Sequence, residues 1–450
     1  MNYGKLLYGF LTLRANMKKT KSKIQQIQQR KLRKLLVHAY QHSPYYHMRF
    51  KEAGITEKNI NDVPICEFPT MNKADMRKHF DEIVTVPIRQ EQLRRFDEET
   101  SCNECAFLGS YHVVHSSGST GKPAYFIYDN AAWEQMLLGI IRGALWDMSL
   151  FGIGKLLRGG LRIVYIAATD GRYGGAMAVG GGIDVLRGKQ LFLDIKSPIE
   201  EWIKEVEDFQ PNLIVGYPSA VKILGELVEK EKVSLTISRV ITCGEPLCAN
   251  LRSYLETVFH SVVVNIYGAS ESLSLGVETQ NTDGMILFDD LNYIEVVDGV
   301  MYLTSLYNYA QPLIRYRISD ELKLLSTDKS SPFTKTELLL GRSEDLLWFE
   351  DEYGKKEFLH PLAIEGFCIE GLLDFQFFQT APDGFIMLAE TKEESRKYAI
   401  REEMLMRMRE ILLEKKLNHV QFSVRFVDAI LPDPKTGKKC LIAKEEPLFE

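Results

Sequence analysis

Cysteine is scarce in this sequence. Seven cysteines occur in 450 residues, and the number is odd. Such a set does not supply the disulfide framework of a small secreted protein, so a reducing compartment, the cytoplasm, is expected. Cys102 and Cys105 form a CxxC pair, but no second pair accompanies them. Zinc binding or redox chemistry at this pair is therefore only the minor alternative.

Long apolar runs and an excess of one charge are lacking as well. The apolar run from Leu6 to Leu13 is interrupted by Gly9 and is too short to span a bilayer. We expect a helix that docks on the protein body, with weak membrane association as the alternative and no stable membrane span. The net charge of −6 gives no reason to expect nucleic acid or an anionic membrane as a partner.

The length and the apolar pattern predict one large domain and one smaller domain. In the middle of the chain, apolar runs alternate with helical stretches, which indicates a parallel α/β layer with ligands bound beyond the carboxyl ends of its strands. These runs cover residues 161–167, 213–216, 240–243 and 262–266. After Gly284, short alternating strands indicate an antiparallel meander or small barrel. A boundary is expected near residues 341–345, followed by a β-rich domain with one exposed amphipathic helix.

The stretch HSSGSTGKPAYFIYD, residues 115–129, has the composition of a phosphate-binding loop between two strands. Its glycines permit close backbone approach, its hydroxyls can donate hydrogen bonds, and its lysine adds a positive charge. A Walker-type loop is excluded, because only two residues separate the glycines and a proline follows the lysine. A plain polar hairpin turn is the alternative. The candidate phosphate-binding residues are Ser116, Ser117, Gly118, Ser119, Thr120, Gly121 and Lys122.

Two further polar runs stand where predicted parallel strands end, namely residues 243–246 (CGEP) and 265–271 (NIYGASE). Glu271 is a lone carboxylate, and one carboxylate beside a polyphosphate is the usual protein share of a magnesium shell. The alternative is a solvated glutamate in a turn at a strand end.

Together with RYRISD (315–320), GRSED (341–345) and PKTGKKC (434–440), these runs resemble, in order, the motifs of the acyl-adenylate-forming superfamily. The resemblance implies that Tyr267 stacks on adenine and that Asn265 and Gly268 line the purine. It also implies that Glu271 binds Mg²⁺. The run Gly244, Glu245 and Pro246 would lie against the adenine and the acyl group.

The later motifs imply the remaining roles. Asp320 would hold the ribose hydroxyls, since a carboxylate can accept two donors at once. Arg342 would reach the ribose or the α-phosphate, and Glu344 stands at the position of the hinge acid. Lys438 is the expected catalytic lysine of the C-terminal domain, with Lys439 as the alternative. In RYRISD, Ser319 and Ile318 replace the Gly and Thr of the family, so this turn must be built differently.

Within the superfamily, the sequence most resembles the phenylacetate–CoA ligase group and its capsule-biosynthesis relatives. The supporting runs are LRKLLVHAYQHSPYYHMRFKEAGI, GYPSA, CGEPL and NYAQPLIRYR. The resemblance implies an α/β adenylate-forming fold with a large N-terminal domain (1–341), a hinge (342–345) and a small mobile α+β lid (346–450). The large domain would combine α/β sheet layers with a small barrel-like β portion.

The implied reaction is ATP-dependent activation of an apolar or aryl carboxylic acid as acyl-AMP, with release of pyrophosphate, followed by acyl transfer to CoA. Mg²⁺ would be the metal, and Tyr217, Gly268 and Ala269 are the candidates for contacting the acid. One alternative is an adenylating ligase whose acceptor is an amine or a carrier protein. Another is a non-catalytic nucleotide-binding subunit. A homodimer is left open.

Overall fold

The computed structural model describes residues 3–99, 106–115, 124–167, 177–179, 188–194, 197, 199–297, 299–325, 331–336, 347–350, 356–359, 369, 371–414, 416–431 and 442–443. The CxxC pair, the phosphate loop 116–123, the segment 337–346 and the segment 432–441 lie outside these residues. Within the described part of the chain, no helix is long and apolar enough to cross a membrane.

Six helices form the N-terminal part of the chain. Thr20 begins the second helix by accepting a hydrogen bond from the Lys23 amide, and a capping box of Asn72 and Asp75 begins the fourth. The apolar positions predicted to face the body, such as Leu35 and Leu36, are fully buried. The helices are α1 (Tyr3–Asn16), α2 (Lys21–His42), α3 (Pro44–Glu52), α4 (Lys73–Lys78), α5 (Phe80–Ile83) and α6 (Gln90–Glu99).

A buried ion pair joins the N-terminal helices to the rest of the large domain. The Arg142 guanidinium donates two hydrogen bonds to the Asp290 carboxylate, at 2.7 and 2.9 Å, and both side chains are fully buried. Asn16, at the end of α1, donates to the same carboxylate at 2.7 Å. The Arg142 cation also lies 4.2 Å from the centre of the Phe288 ring. These contacts satisfy a charge that would otherwise be costly to bury.

An eight-stranded mixed sheet forms the centre of the large domain, in the order β13-β9-β8-β7-β6-β5-β3-β4. The strands from β4 to β7 are parallel, as predicted, and β8, β9 and β13 extend the sheet antiparallel. The strands are β3 (Arg162–Ala167), β4 (Lys189–Asp194), β5 (Leu213–Gly216), β6 (Arg239–Cys243), β7 (Val263–Ala269), β8 (Ser272–Thr279), β9 (Met285–Leu287) and β13 (Lys335–Thr336). The helices around it are α7 (Asn130–Ala144), α8 (Leu150–Arg158), α9 (Ile199–Phe209), α10 (Pro218–Glu229) and α11 (Ala249–Phe259).

Two sequence-based boundaries differ from the structure. β7 continues to Ala269, three residues beyond its predicted end, because it forms a hairpin with β8. The segment MILFDD was predicted to begin the antiparallel meander, but β9 pairs with β8 and joins the central sheet. The meander consists of β10 (Asn292–Val297), β11 (Val300–Ser305) and β12 (Tyr316–Glu321).

The C-terminal region has a hydrophobic core of its own, made only of residues from Leu347 onward. The helix predicted as exposed and amphipathic buries one face, including Met404 and Met408, in this core. The division of the chain at residues 341–346 stays a prediction. The elements are β14 (Leu347–Glu350), β15 (Lys356–Leu359), β16 (Asp374–Ala381), β17 (Gly384–Glu390), α12 (Lys397–Glu414), β18 (Gln421–Val427) and β19 (Ile442–Ala443), with the sheet order β18-β17-β16-β19.

Candidate active site

The predicted phosphate loop connects two paired antiparallel strands, β1 (Tyr111–His115) and β2 (Tyr125–Asp129). His115 and Tyr125 form the last pair of the hairpin before the loop. The prediction of two strands on either side of this loop is therefore confirmed. The seven loop candidates, Ser116 to Lys122, lie outside the described residues, and their phosphate contacts stay predictions.

The base of this hairpin contacts the YGASE run. The Tyr128 hydroxyl donates a hydrogen bond of 2.7 Å to the carbonyl oxygen of Ser270. Ser270 and Glu271 form the turn between β7 and β8. The turn that carries Glu271 is therefore held against the strand that follows the predicted phosphate loop.

The residues predicted to bind the adenosine are also in contact with each other. The Tyr267 hydroxyl, at the end of β7, donates a 2.7 Å hydrogen bond to the Asp320 carboxylate on β12. Gly268 follows Tyr267, and a Cβ atom at this position would lie 2.5 Å from the Leu273 carbonyl oxygen. Only glycine therefore fits between the two strands. The contact between the central sheet and the meander brings together residues that are 53 positions apart.

Burial and neighbouring charged groups both affect the carboxyl group of Glu271. Burial raises the pKa of the Glu271 carboxyl above its ordinary value, while the positive charge of Lys73 on α4 opposes the rise. Burial and the neighbouring Glu271 carboxylate raise the pKa of the Tyr316 hydroxyl far above its usual range. The Tyr316 hydroxyl in turn interacts with the Glu271 carboxylate and lowers the pKa of that carboxyl. A carboxylate oriented by a neighbouring hydroxyl suits a bound hydrated cation.

The GEP run and the GYPSA run meet at the carboxyl ends of β5 and β6. Gly244 has φ of +79°, and a Cβ atom there would lie 2.9 Å from the Tyr217 ring. Glu245 accepts hydrogen bonds from the Ser219 amide at 3.1 Å and from the Ser219 hydroxyl at 3.0 Å. Pro246 follows in the same turn before α11. The predicted acyl-site tyrosine and the predicted adenine-side turn are thus neighbours.

Asn265 and Ala269 occupy defined positions on β7. The buried Asn265 amide accepts from the Thr242 hydroxyl at 3.2 Å and donates to the Glu278 carboxylate at 3.3 Å. Its predicted contact with the purine is not tested by this arrangement. Ala269 pairs with Ser272 across the hairpin that carries Glu271. Its contact with the acid stays a prediction.

Three predicted residues lie outside the described part of the chain, namely Arg342, Glu344 and Lys438. Lys439 lies outside it too. Among the described residues, no group of three or more His, Cys, Asp or Glu side chains could hold a metal ion. A metal at Glu271 would therefore take most of its ligands from substrate and water.

The C-terminal domain contacts the two helices that begin at the GYPSA and GEP turns. Lys222 of α10 forms a buried ion pair with Glu390, at the end of β17. Asn250 of α11 donates to the carbonyl oxygens of Ile369 and Leu372, at 3.1 and 2.9 Å. The same two helices therefore carry residues of the site at one end and C-terminal domain contacts along their length.

Sequence reasoning did not single out Tyr316, Tyr128 or Lys73. Two of them stand within motifs that were identified, since Tyr316 is the second residue of RYRISD and Tyr128 follows the phosphate loop. Lys73 stands at the first turn of α4, and the pairing of Met71 with Tyr316 places this helix beside β12. No local pattern connects α4 to a turn almost 200 residues later.

Comparisons with known proteins agree with this geometry. No protein-family model matches the chain. The phenylacetate-coenzyme A ligase of Pseudomonas putida is 28% identical over 352 residues, which are 72% of this chain and 72% of that protein. Protein CapK of Staphylococcus aureus is 23% identical over 430 residues, 88% of this chain and 84% of CapK.

A solved structure of 2-hydroxyisobutyryl-CoA ligase, in the postadenylation state with R3-HIB-AMP, shares the fold with a TM-score of 0.67. The match covers 96% of this chain and 91% of that chain at 18% sequence identity. The predicted fold class is confirmed by this likeness.

Proposed function

We propose that this chain, which is similar to phenylacetate–CoA ligases and to CapK and shares the fold of an acyl-CoA ligase, is an ATP-dependent, AMP-forming carboxylic acid–CoA ligase of the acyl-adenylate-forming superfamily. It activates an apolar or aryl acid as acyl-AMP and releases pyrophosphate, and it then transfers the acyl group to CoA in the cytoplasm. The observation that carries the proposal is the 2.7 Å hydrogen bond between Tyr267 and Asp320, beside Glu271. Two motifs distant in sequence, YGASE and RYRISD, thereby lie side by side, as the proposed nucleotide site requires.

In the proposed first step, the substrate carboxylate attacks the α-phosphorus of ATP and pyrophosphate leaves. The chain need not supply a nucleophile, because the substrate is one. Its task is to orient two anions and to offset their charge, which preorganised cations and donors do in such transfers. Glu271 and the Tyr316 hydroxyl beside it would hold the hydrated Mg²⁺. The metal, when bound, would neutralise charge on the phosphates.

Further positive charge is available at the same place. Lys73 is close enough to Glu271 to lower the pKa of its carboxyl, and the loop 116–122 would add hydroxyl and backbone donors. Asp320 and Tyr267 would fix the ribose and the adenine, so that the α-phosphate is presented in one orientation. Orientation of this kind contributes a large part of the rate in two-substrate reactions.

Lys438 is proposed to enter the site during the first step and to leave it for the second, by rotation of the C-terminal domain about Glu344. Lys438→Ala should abolish formation of acyl-AMP. The variant should still transfer the acyl group to CoA when chemically made acyl-AMP is supplied. Wild-type adenylation by Lys438→Ala, with loss in Lys439→Ala, would move this role to the next residue.

The second candidate function is an adenylating ligase whose acceptor is an amine or a carrier protein. The chain is also similar to protein CapK, over 88% of its length at 23% identity. Both candidates share the first half-reaction and the residues proposed for it.

The test is a pyrophosphate-release screen over aryl, fatty and amino acids, each with CoA, with amines and with carrier proteins. We expect one class of acid to stimulate release and CoA to be consumed into a thioester. Product formed only with an amine or a carrier protein would replace CoA by that acceptor. No stimulation by any acid, together with a melting temperature that neither ATP nor AMP shifts, would refute the nucleotide site itself.

A further inference from the structure

Two short helices of the large domain expose apolar side chains to solvent. Isolated exposed apolar residues are normal, but a group of them on adjacent elements indicates an interaction site. The exposed side chains, with their exposed fractions, are Leu7 (61%), Tyr8 (75%) and Leu11 (42%) on α1, and Leu150 (59%), Phe151 (84%) and Leu157 (44%) on α8. We name this group the α1–α8 surface.

On α1, the outward face is the apolar one. The inward face is already satisfied, because Leu6 and Leu13 are buried. A Cβ atom at Gly9 would lie 2.6 Å from the Leu138 side chain, so α1 lies closely against α7 at this glycine. Leu7 and Leu11, four residues apart, share the opposite face. A helix whose apolar side chains serve only to pack on the protein body would carry polar residues on this outward face.

On α8, an exposed aromatic residue is followed by two exposed cations. Ile153 is buried and anchors the helix to the body. Phe151, Lys155 and Arg158 are spaced by four and three residues, so they lie on the same side of the helix, and all three are exposed. Apolar and aromatic side chains together with Lys and Arg are typical of helices that lie in a bilayer interface.

The two helices meet at Arg14. Its guanidinium donates to the carbonyl oxygens of Leu145, at 2.7 Å, and Met148, at 2.5 Å. Ser149, the next residue, begins α8 by accepting from the Gly152 amide. The last turn of α1 is therefore held beside the segment that leads into α8.

The charge of this region is opposite to that of the whole chain. Residues 1–51 contain twelve Lys or Arg and no Asp or Glu, whereas the chain as a whole has 55 basic and 61 acidic residues. Residues 148–169, which include α8, also contain no acidic residue. Two carboxylates on neighbouring elements, Glu134 and Asp147, form ion pairs with Lys5 and Arg239. Most of the twelve lie outside α1, and its own Lys5 and Arg14 contact Glu134 and backbone carbonyl oxygens. The exposed cations of the α1–α8 surface are therefore Lys155 and Arg158, on a helix without acidic residues.

We propose that the α1–α8 surface docks this protein on a bilayer that contains anionic lipids. The side chains of Leu7, Leu11 and Phe151 enter the interface, and Lys155 and Arg158 lie among the headgroups. Charge complementarity selects this occupant over a second copy of the chain, because a symmetric contact would bring two basic surfaces together. Docking of this kind is peripheral and reversible.

The test uses the full-length protein and two kinds of vesicle, phosphatidylcholine alone and phosphatidylcholine with phosphatidylglycerol, in a flotation assay. We expect the protein to bind only the anionic vesicles and to be released as salt increases, since screening weakens surface electrostatics. Each basic residue near such a surface contributes about fivefold in affinity, so Lys155→Gln with Arg158→Gln should weaken binding about 25-fold.

Further variants distinguish vesicle binding through this surface from non-specific adsorption of the protein. Phe151→Ser should also reduce vesicle binding, whereas Tyr398→Ser, at a 77% exposed aromatic on α12, should not. Every variant should keep the thermal shift produced by ATP, which shows that the fold and the proposed nucleotide site are intact. Absence of binding to anionic vesicles at low salt would overturn the proposal. So would equal binding by all variants, or a dimer in sedimentation equilibrium that Phe151→Ser dissociates.

Discussion

The buried ion pair between Lys222 and Glu390 offers a quantitative test of how the C-terminal region is held against the helices of the central sheet. Lys222 lies on α10, and its side chain is 9% exposed; the Glu390 side chain is 3% exposed. Glu390 also accepts a hydrogen bond of 3.0 Å from the Ile430 amide. The substitution Lys222→Met keeps the apolar stem of the side chain and removes its charge. It leaves the Glu390 carboxylate buried without its counterion.

Removal of one partner from a fully buried pair costs about 3–5 kcal/mol. The cost here should be about 2–3 kcal/mol, below this range, because the pair lies between two separately packed hydrophobic cores, where water can enter if the two parts separate. The ion pair should therefore stabilise the docking of the C-terminal region on α10, and not the folding of either hydrophobic core. It corresponds to about 30- to 150-fold in the docking equilibrium, since 1.4 kcal/mol is tenfold.

The assay is a double-mutant cycle of Lys222→Met, Glu390→Gln and the two together, with hydrogen–deuterium exchange of peptides from α10, α11 and β17. We expect each single variant to increase exchange at the interface, and the double variant to be less affected than the sum of the two. A matched control is Lys230→Met, which removes an exposed lysine from the residue that follows α10. A coupling energy below about 0.5 kcal/mol would refute the reasoning that this pair stabilises docking.

Three further predictions concern the large domain. Asp290→Asn should lower the free energy of unfolding in urea by about 3–5 kcal/mol, because it leaves the buried Arg142 charge unpaired; a loss under 1 kcal/mol would contradict this. Glu271→Gln should raise the Mg²⁺ concentration needed for half-maximal adenylation while the ATP-free melting temperature is retained; an unchanged requirement would place the metal elsewhere. Burial raises the pKa of Asp289 to about 6, so the folded protein loses stability as pH rises from 4 to 6. Relative to the wild type, Asp289→Asn should gain about 2 kcal/mol in the free energy of unfolding between pH 4 and pH 6. The same pH dependence of stability in both proteins would contradict this.

The fold could be predicted from the sequence where the signal is local. Apolar runs separated by helices indicated the parallel strands β3, β5, β6 and β7. β4 was not predicted. Its burial is only partial along most of its length, as befits an edge strand, so it lacks the continuous apolar run of its neighbours.

The candidate site was predictable as a set of motifs but not as a set of contacts. Tyr267 and Asp320 were each assigned to the nucleotide, yet their hydrogen bond depends on how the meander docks on the central sheet. Tyr316 carries no local signal that distinguishes it from a core tyrosine, and its neighbour Glu271 is 45 residues away in sequence. Long-range pairing of this kind is decided by tertiary packing, which no spacing rule encodes.

The extent of β7 illustrates the same limit. The apolar run predicted a strand over residues 262–266, whereas the hairpin with β8 carries the strand to Ala269. Backbone pairing with a partner strand overrides the weak strand preference of glycine and alanine. As a result, Glu271 is held in a two-residue turn rather than in an open loop, which fixes its position beside Tyr316.

The central claim, that this chain forms an acyl-AMP before any acceptor is involved, is tested most directly by exchange of radiolabelled pyrophosphate into ATP. The measurement is made without CoA, with an acid that stimulates pyrophosphate release. The account predicts exchange that requires the acid, ATP and Mg²⁺, and it predicts that later addition of CoA converts the bound acyl-AMP into a thioester. Binding of ATP without acid-dependent exchange for any acid would contradict the account and leave a nucleotide-binding protein that does not adenylate.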